Sequence, residues 1–595
     1  MISVAMKDQL QVPSPRRFYV ILRYMLVALI SLSVIGLLSS AVVLIVISKP
    51  CPNTKWWQNT LIYQLYPRSF KDSNGDGIGD LVGIKSKLDY FKYLHVDAIW
   101  INPIFSSPMR DFGYDISDYK NIDPIFGTLT DFDDLLKDAH EKGLKIILDF
   151  VPNHTSDKHP WFMESRKNRY NPKRDWYVWA DGINGEPPNN WQSVFGGSAW
   201  QYDNITDQYY LHQFLSQQPD LNYRNEDVRD AMKSVLVFWL EKGVDGFRID
   251  AIKFLLEDVH LRSEMCLIHE QECPCHSLSY EQLNHTYTEN IAGIHDIVKE
   301  WKKVINSYSN QGSLRFMVGE IYDDDISTIM SYYGSPNDMD ECDFPFNFLL
   351  VDLPLKEWTG TGVNDTVAKW LDASPNGAWP NWVVGNHDNP RIASKLGIQN
   401  SALVMMLLLT LPGTPTTYYG DELGMTDVFV PFNATKDQMS IGNATRDPER
   451  SPMQWDNSLH AGFTSGCCPW LPVGNFTTVN VHVAKAERDS VLNVYRSLAL
   501  LRSNVSALQG ISYTPIYADT SVYIFQRGDN SDILKVVVAL NFGNEFVTEV
   551  WQHVTFAPHG VVMLSTRMDR NGQNISRANS ELHAGEGVVV QIGHT

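Results

Sequence analysis

Eight short apolar runs, separated by stretches with helical spacing, constrain this chain more than any other feature. They read LIYQLYP, VDAIWINPI, LKIILDFVPNH, GVDGFRIDA, RFMVGEIY, a weaker FPFNFLLVD, WPNWVVGNHD and TPTTYYGDE. Strand-like runs alternating with helices argue for repeated βα units on a parallel sheet. The expected class is α/β, and eight units predict a (β/α)8 TIM barrel. Four runs lead into His154, Asp250, Glu320 and Asp388. In such a barrel the C-terminal strand ends and their loops build the active site, so one pocket draws its residues from several strands.

The pattern breaks after the third run. Residues 155–218 are polar, aromatic and rich in Pro and Gly, as in NGEPPNNWQSVFGGSAWQYD, and are too long for an ordinary βα loop. They predict a small inserted domain over the barrel mouth, with the barrel itself spanning 52–154 and 219–500. From 506 to 595 the runs SVYIFQR, ILKVVVALNF and GVVVQIG predict a C-terminal antiparallel β-domain.

Ahead of the barrel, residues 24–48 hold no charged side chain over 25 positions. A helix of that length reaches roughly 37 Å, enough to cross a bilayer core of about 30 Å. The run is too long for a signal peptide and lacks a small-x-small cleavage site. Arg16, Arg17 and Arg23 precede it, against Lys49 and Lys55 after it, which places the tail 1–23 in the cytosol. The expected location is the plasma membrane or an endomembrane, as a single-pass type II protein. Eight sequons on the far side, at Asn204, Asn284, Asn364, Asn433, Asn443, Asn475, Asn504 and Asn574, agree with a glycosylated ectodomain. Asn153 also opens a sequon but sits inside an apolar run and is expected to stay unmodified. The net charge of −20 argues against a nucleic-acid partner, which needs a basic face.

The seven cysteines are Cys51, Cys266, Cys273, Cys275, Cys342, Cys467 and Cys468. An odd count in an oxidising compartment leaves one unpaired or intermolecular thiol. Cys467 and Cys468 do not readily bridge each other, and no pairing follows from spacing. Cys273, Cys275 and His276 read as a lumenal loop rather than a zinc site. Cys51, just outside the apolar run, is positioned to tether a partner or a second copy through an interchain disulfide.

In order along the chain stand DFVPNH, GFRID, GEIY and GNHDNPR, with GYDISDY, QPDLN and RSPMQWD added. This set resembles the signature regions of the α-amylase superfamily of glycoside hydrolases, in its α-glucosidase and oligo-1,6-glucosidase branch, from Trp56 onward. Retaining cleavage of a glycosidic bond needs a carboxylate nucleophile and a carboxylic acid about 5–5.5 Å apart. The resemblance implies Asp250 as nucleophile, Glu320 as acid–base and Asp388 as the carboxylate that grips sugar hydroxyls. Arg248, two residues before Asp250 on the same strand face, is expected to keep it ionised. His154 and His387 are similar to hydroxyl-binding histidines. Asp115 and Arg446 resemble the pair that clamps a non-reducing terminal glucose, which would make the enzyme exo-acting on α-glucosides. Ala251, after Asp250, resembles the small residue that in related glucosidases goes with α-1,4 rather than α-1,6 preference. No organic cofactor is implied.

The nine residues DSNGDGIGD place oxygen donors at Asp72, Asn74, Asp76 and Asp80, with a backbone carbonyl near Ile78. Alternating oxygens suit a hard cation such as Ca²⁺ in a structural role. The twelfth position is Gly83 rather than Glu, so the loop is no EF-hand. It is similar to the calcium loop of this glucosidase branch.

The layout of tail, anchor, external cysteine and glucosidase-like ectodomain also resembles the rBAT-type heavy chains of heteromeric amino acid transporters. There the cysteine bonds a multi-spanning light chain. Retention of Arg248, Asp250, Glu320, His387 and Asp388 favours a working hydrolase, because a carboxylate cluster without a reaction costs stability through like-charge repulsion. A heavy-chain role is the alternative, and the two are compatible.

Overall fold

The computed structural model describes residues 15–47, 54–267, 279–310, 313–335, 338–438, 445–529, 534–577 and 579–592. Two compact units result, Met1–Thr54 and Lys55–Thr595.

The first unit contributes one helix, Pro15–Ile47, whose stretch Arg16–Ser40 is long and apolar enough to cross a membrane by length and composition. It begins nine residues before the expected position 24. Pro15 suits a first helical position, and the residues that follow it, RRFYVILR, contain no helix breaker. Cys51 lies outside the described residues, as do Cys273, Cys275 and His276.

The second unit is the predicted barrel. Its strands are β1 (Ile62–Leu65), β2 (Ala98–Ile101), β3 (Lys145–Phe150), β4 (Gly246–Ile249), β5 (Phe316–Gly319), β6 (Phe344–Pro345), β7 (Asn381–Val383) and β8 (Thr414–Tyr418). Every pairing is parallel, in the order β6-β5-β4-β3-β2-β1-β8-β7. All eight correspond to the apolar runs of the sequence, and nearly every strand residue is buried, as expected where helices cover a parallel sheet. Between β6 and β7 the closure is carried by a side chain. Asn381 accepts from the Asn347 amide at 2.9 Å and donates to the Pro345 carbonyl at 2.5 Å. At Gly319, just before Glu320, an added Cβ would meet the Cys342 sulfur and Ile252 at 2.8 Å, so only glycine fits the strand end there.

Between β3 and β4 the chain makes the expected excursion. It holds a short helix, Pro160–Ser165, and a three-stranded antiparallel sheet of Trp179–Ala180, Gln208–Leu211 and Trp200–Asp203. A separate small core of Val178, Trp191, Trp200 and Leu211 holds it together. The C-terminal strands are β9 (Tyr513–Ala518), β10 (Val522–Arg527), β11 (Lys535–Asn541), β12 (His559–Ser565), β13 (Asn574–Ser576) and β14 (Gly587–Ile592), antiparallel in the order β9-β10-β11-β14-β12-β13. Their period-2 patterning has a clear cause. Tyr523, Phe525, Val536, Val538 and Leu540 join the main core, while Val522, Ile524, Val537 and Ala539 face a second one. Among the described cysteines Cys266 is disulfide-bonded, Cys342 is a buried thiol, and Cys467 and Cys468 are exposed thiols.

Candidate active site

Asp250 stands one residue beyond β4 and Glu320 one residue beyond β5, and adjacent parallel strands bring the two together. Arg248 joins them: its Nη1 donates to Asp250 Oδ1 at 2.5 Å and its Nη2 donates to Glu320 Oε1. The Ala251 amide donates to the other Glu320 oxygen at 3.1 Å, from a left-handed conformation with φ 51°. Asp388 follows β7 and accepts from Arg446 at 3.1 Å and Arg450 at 2.8 Å. His387 lies under it, with Nε2 at 3.2 Å from Asp388 and 2.6 Å from the Tyr114 hydroxyl, and Nδ1 at 2.9 Å from the Gln64 amide. The Gln64 amide donating to Nδ1 leaves the ring proton on Nε2, where it serves Asp388 and Tyr114.

Asp250, Glu320, His387 and Asp388 line one cavity of about 280 Å³, together with Asp111, Tyr114, His154, Ala251 and Arg446. The volume matches a small ligand held in part. It is the electrostatics that assign roles. Burial raises the Asp388 carboxyl, but His387, Arg446 and Arg450 outweigh it and hold the group far below the usual range, so it is an anion at any working pH. Burial lowers His154 to about 4 and takes His387 well below its ordinary value, which keeps both rings neutral hydrogen-bonding partners. For Asp250, burial pushes the carboxyl well up, with Glu320, Asp149 and Asp388 adding to it and Arg248 opposing. Arg248, expected to keep Asp250 ionised, does favour the anion, with burial as the larger effect working against it. Asp250 and Glu320 share one cation. Retaining cleavage requires a carboxylate at Asp250 and a proton on Glu320.

A second correction concerns Asp115. Its carboxylate is fully buried away from the cavity, accepting from the Arg110 and Asp111 amides and the Ser107 hydroxyl, and burial raises it to about 6. The carboxylate that faces the cavity and pairs with Arg446 is Asp111, at 2.7 Å. Phe112 (φ 48°) and Gly113 (φ 113°) reverse the backbone between the two, so they end on opposite sides. Two further residues were missed. Asp437 grips Arg446 at Nε (2.9 Å) and Nη2 (2.8 Å), and Gln218 donates to Asp111 at 3.1 Å. Neither follows a strand run, so periodicity offered no signal.

The loop 72–80 is occupied with its own backbone. Asp72 accepts from the amides of Asn74, Gly75 and Gly77 and from Thr464, and Asp80 accepts from Ser73 and Gly83. Asp76 accepts from Ile78. Among the described residues no three acidic, His or Cys side chains converge as a metal site. The donor types suit a hard cation, and the carboxylate oxygens keep further lone pairs.

The chain matches the family model described as alpha amylase, catalytic domain, over residues 64–510. It is 41% identical over 567 residues to the human amino acid transporter heavy chain SLC3A1, covering 94% of this chain and 81% of that one. It is also 41% identical over 561 residues to maltase 1 of Drosophila virilis, covering 91% and 87%. Among solved structures, the alpha-glucosyl transfer enzyme XgtA superposes with a TM-score of 0.79 at 36% identity, over 91% of this chain and 100% of that one.

Proposed function

Because the chain belongs to the alpha-amylase family of glycoside hydrolases, with an α-glucosidase-type catalytic barrel, we propose that it is a membrane-anchored retaining exo-α-glucosidase that releases glucose from non-reducing ends. The observation that carries this reading is the single guanidinium of Arg248 between Asp250 and Glu320. One guanidinium bonded to both carboxyls holds them near each other, which favours the short separation of a retaining pair.

In this mechanism Arg446 and Asp111 hold the terminal glucose, with Asp388, His154 and His387 binding its hydroxyls. Asp250 attacks the anomeric carbon while Glu320 gives its proton to the departing glycosidic oxygen. The C–O bond breaks and a glucosyl ester forms on Asp250. Glu320, now a carboxylate, takes a proton from water, which attacks the same carbon and returns Asp250 as carboxylate. Two displacements give net retention. Membranes carrying the full chain should therefore release α-glucose from maltose; release of the β-anomer would end this reading.

Calcium in the loop 72–80 stands as a proposal of structural binding by Asp72, Asn74, Asp76, the Ile78 carbonyl and Asp80. Millimolar Ca²⁺ should raise the melting temperature by several degrees through mass action, and Asp76→Ala should remove the shift. A wild type whose melting is indifferent to calcium and to chelator would remove the metal from the account.

A heavy-chain role is the second reading, favoured by the 94% of this chain that aligns with SLC3A1. In it the apolar helix anchors the chain with its tail in the cytosol. Cys51 then bonds a multi-spanning amino acid transporter light chain, or a second copy. Wild-type membranes on a non-reducing gel should show a heavier species that Cys51→Ser abolishes. An unchanged gel would leave Cys51 without a tethering role.

A further inference from the structure

Cys467 and Cys468 are neighbours in the chain, and both are exposed thiols. Hydrogen bonding with Cys467 holds the Cys468 thiol above its ordinary value, so the two side chains are in contact. Adjacent Cα atoms across a trans peptide lie about 3.8 Å apart, below the usual disulfide span of about 4.4–6.8 Å. A bridge between such neighbours therefore closes with strain. Strained, exposed disulfides are the easily reduced ones, which suits a reversible change better than a permanent staple.

The backbone beside the pair is held tightly. A Cβ added at Gly77 would stand 2.2 Å from the Cys468 carbonyl oxygen, so the two segments touch there. Two residues beyond Cys468, the Trp470 amide donates to the Gly77 carbonyl at 3.0 Å, and its indole Nε1 donates to Ser69 at 3.0 Å. The Trp470 ring leads on to the glucose grip. It stacks on Tyr66 with centroids 6.2 Å apart and meets Phe112 at 5.3 Å. Tyr66 in turn stacks on His387 at 6.1 Å. Phe112 follows Asp111, the partner of Arg446. One ring thus supports a hydroxyl-binding histidine and the clamp, and it is tied by a short stretch of chain to the two thiols.

We infer that Cys467 and Cys468 form a redox-modification site, closed into an intrachain disulfide by a small-molecule disulfide and reopened by a small thiol, which sets the glucose grip through Trp470. One cysteine thiolate attacks the small disulfide, making a mixed disulfide and releasing one thiol. The second cysteine attacks the protein sulfur of that mixed bond, closing the ring and releasing the second thiol. The protein loses two electrons and two protons, and the small disulfide takes up both to become two thiols. Ring closure turns the backbone at Cys467 and Cys468. With the Cys468 carbonyl packed against Gly77, the movement passes to Pro469 and Trp470, and the packing under Phe112 and Tyr66 loosens. Its effect on the grip rests on the glucosidase reading, while the thiol chemistry stands apart from it.

Membranes carrying the full chain are poised with reduced or oxidised glutathione, alkylated and digested, and the peptide holding both cysteines is weighed. After oxidation it should be two hydrogens lighter with neither sulfur alkylated, and dithiothreitol should restore two alkylatable thiols. In the same samples oxidation should lower kcat/KM on maltose by about 5-fold or more, mainly through KM, the low end of coupling between sites. The double variant Cys467→Ser, Cys468→Ser should keep the activity of the reduced enzyme under both conditions. A peptide that retains two alkylatable thiols, carries glutathione or is joined to another chain after oxidation overturns the site. A bridged peptide with unchanged kinetics overturns the coupling through Trp470, as does a loss of activity that the double variant shares. Absence of maltose cleavage by the reduced wild type removes the glucosidase reading and the coupling with it, while the peptide mass still decides the modification.

Discussion

Asp250→Ala should lower kcat on maltose by at least about 10⁴-fold, the scale on which removal of a nucleophile acts in enzymes that use covalent catalysis. The folded protein should survive the change. Asp250 sits buried beside Glu320, Asp149 and Asp388, which all push its carboxyl upward. Removing one member of a crowded set of acids relieves like-charge repulsion, and Arg248 keeps Glu320 and Asp149 as partners. The melting temperature of the variant should therefore equal or exceed that of the wild type, as expected where function holds a strained cluster. The measurement is glucose release beside thermal melting. Activity retained within tenfold would dismiss Asp250 as nucleophile, and loss of activity together with collapse of melting would make its role structural.

Arg446→Met should damage both activity and stability. Arg446 is buried and bonded to Asp111, Asp388 and Asp437. Asp388 keeps Arg450 at 2.8 Å, but Asp111 and Asp437 lose their cation. Stripping a buried charge of its partner costs about 3–5 kcal/mol. Loss of the charged grip on the terminal glucose should lower kcat/KM by roughly 10²–10³-fold. The stability deficit carries a pH signature with a definite sign. Burial raises the Asp437 carboxyl, yet Arg446 outweighs it and holds the group at about 2, below its ordinary 3.8. A depressed carboxyl contributes stability above the unfolded value, lost as the pH falls through the folded one. Without Arg446, burial raises Asp437 against only the weaker pull of Arg450, so the variant's deficit should be largest near pH 7 and shrink as the pH falls toward 4.5. A deficit that is flat from pH 7 to 4.5 would assign the loss to packing rather than to charge.

The strand ends were legible because alternation and apolar runs are local properties. The eight runs became the eight barrel strands, and each leads into a loop at the same end of the barrel. His154, Asp250, Glu320 and Asp388 thus converge on one cavity although they span 235 positions of sequence, from 154 to 388. The C-terminal sheet was legible for the same reason, since β10 and β11 alternate between two cores. The loops were not. Asp111 and Asp115 are four residues apart in one motif, and only the backbone reversal at Phe112 and Gly113 decides which of them faces the cavity.

By itself, then, the sequence determined the barrel, the order of the acids at its strand ends and the apolar length of the N-terminal helix, because each is written in local periodicity or in residue type at a strand end. Tertiary structure alone decided which aspartate meets Arg446, what holds Arg446 and how far burial lifts Asp250. Those outcomes depend on distances and desolvation between residues far apart in the chain, and no local pattern encodes either.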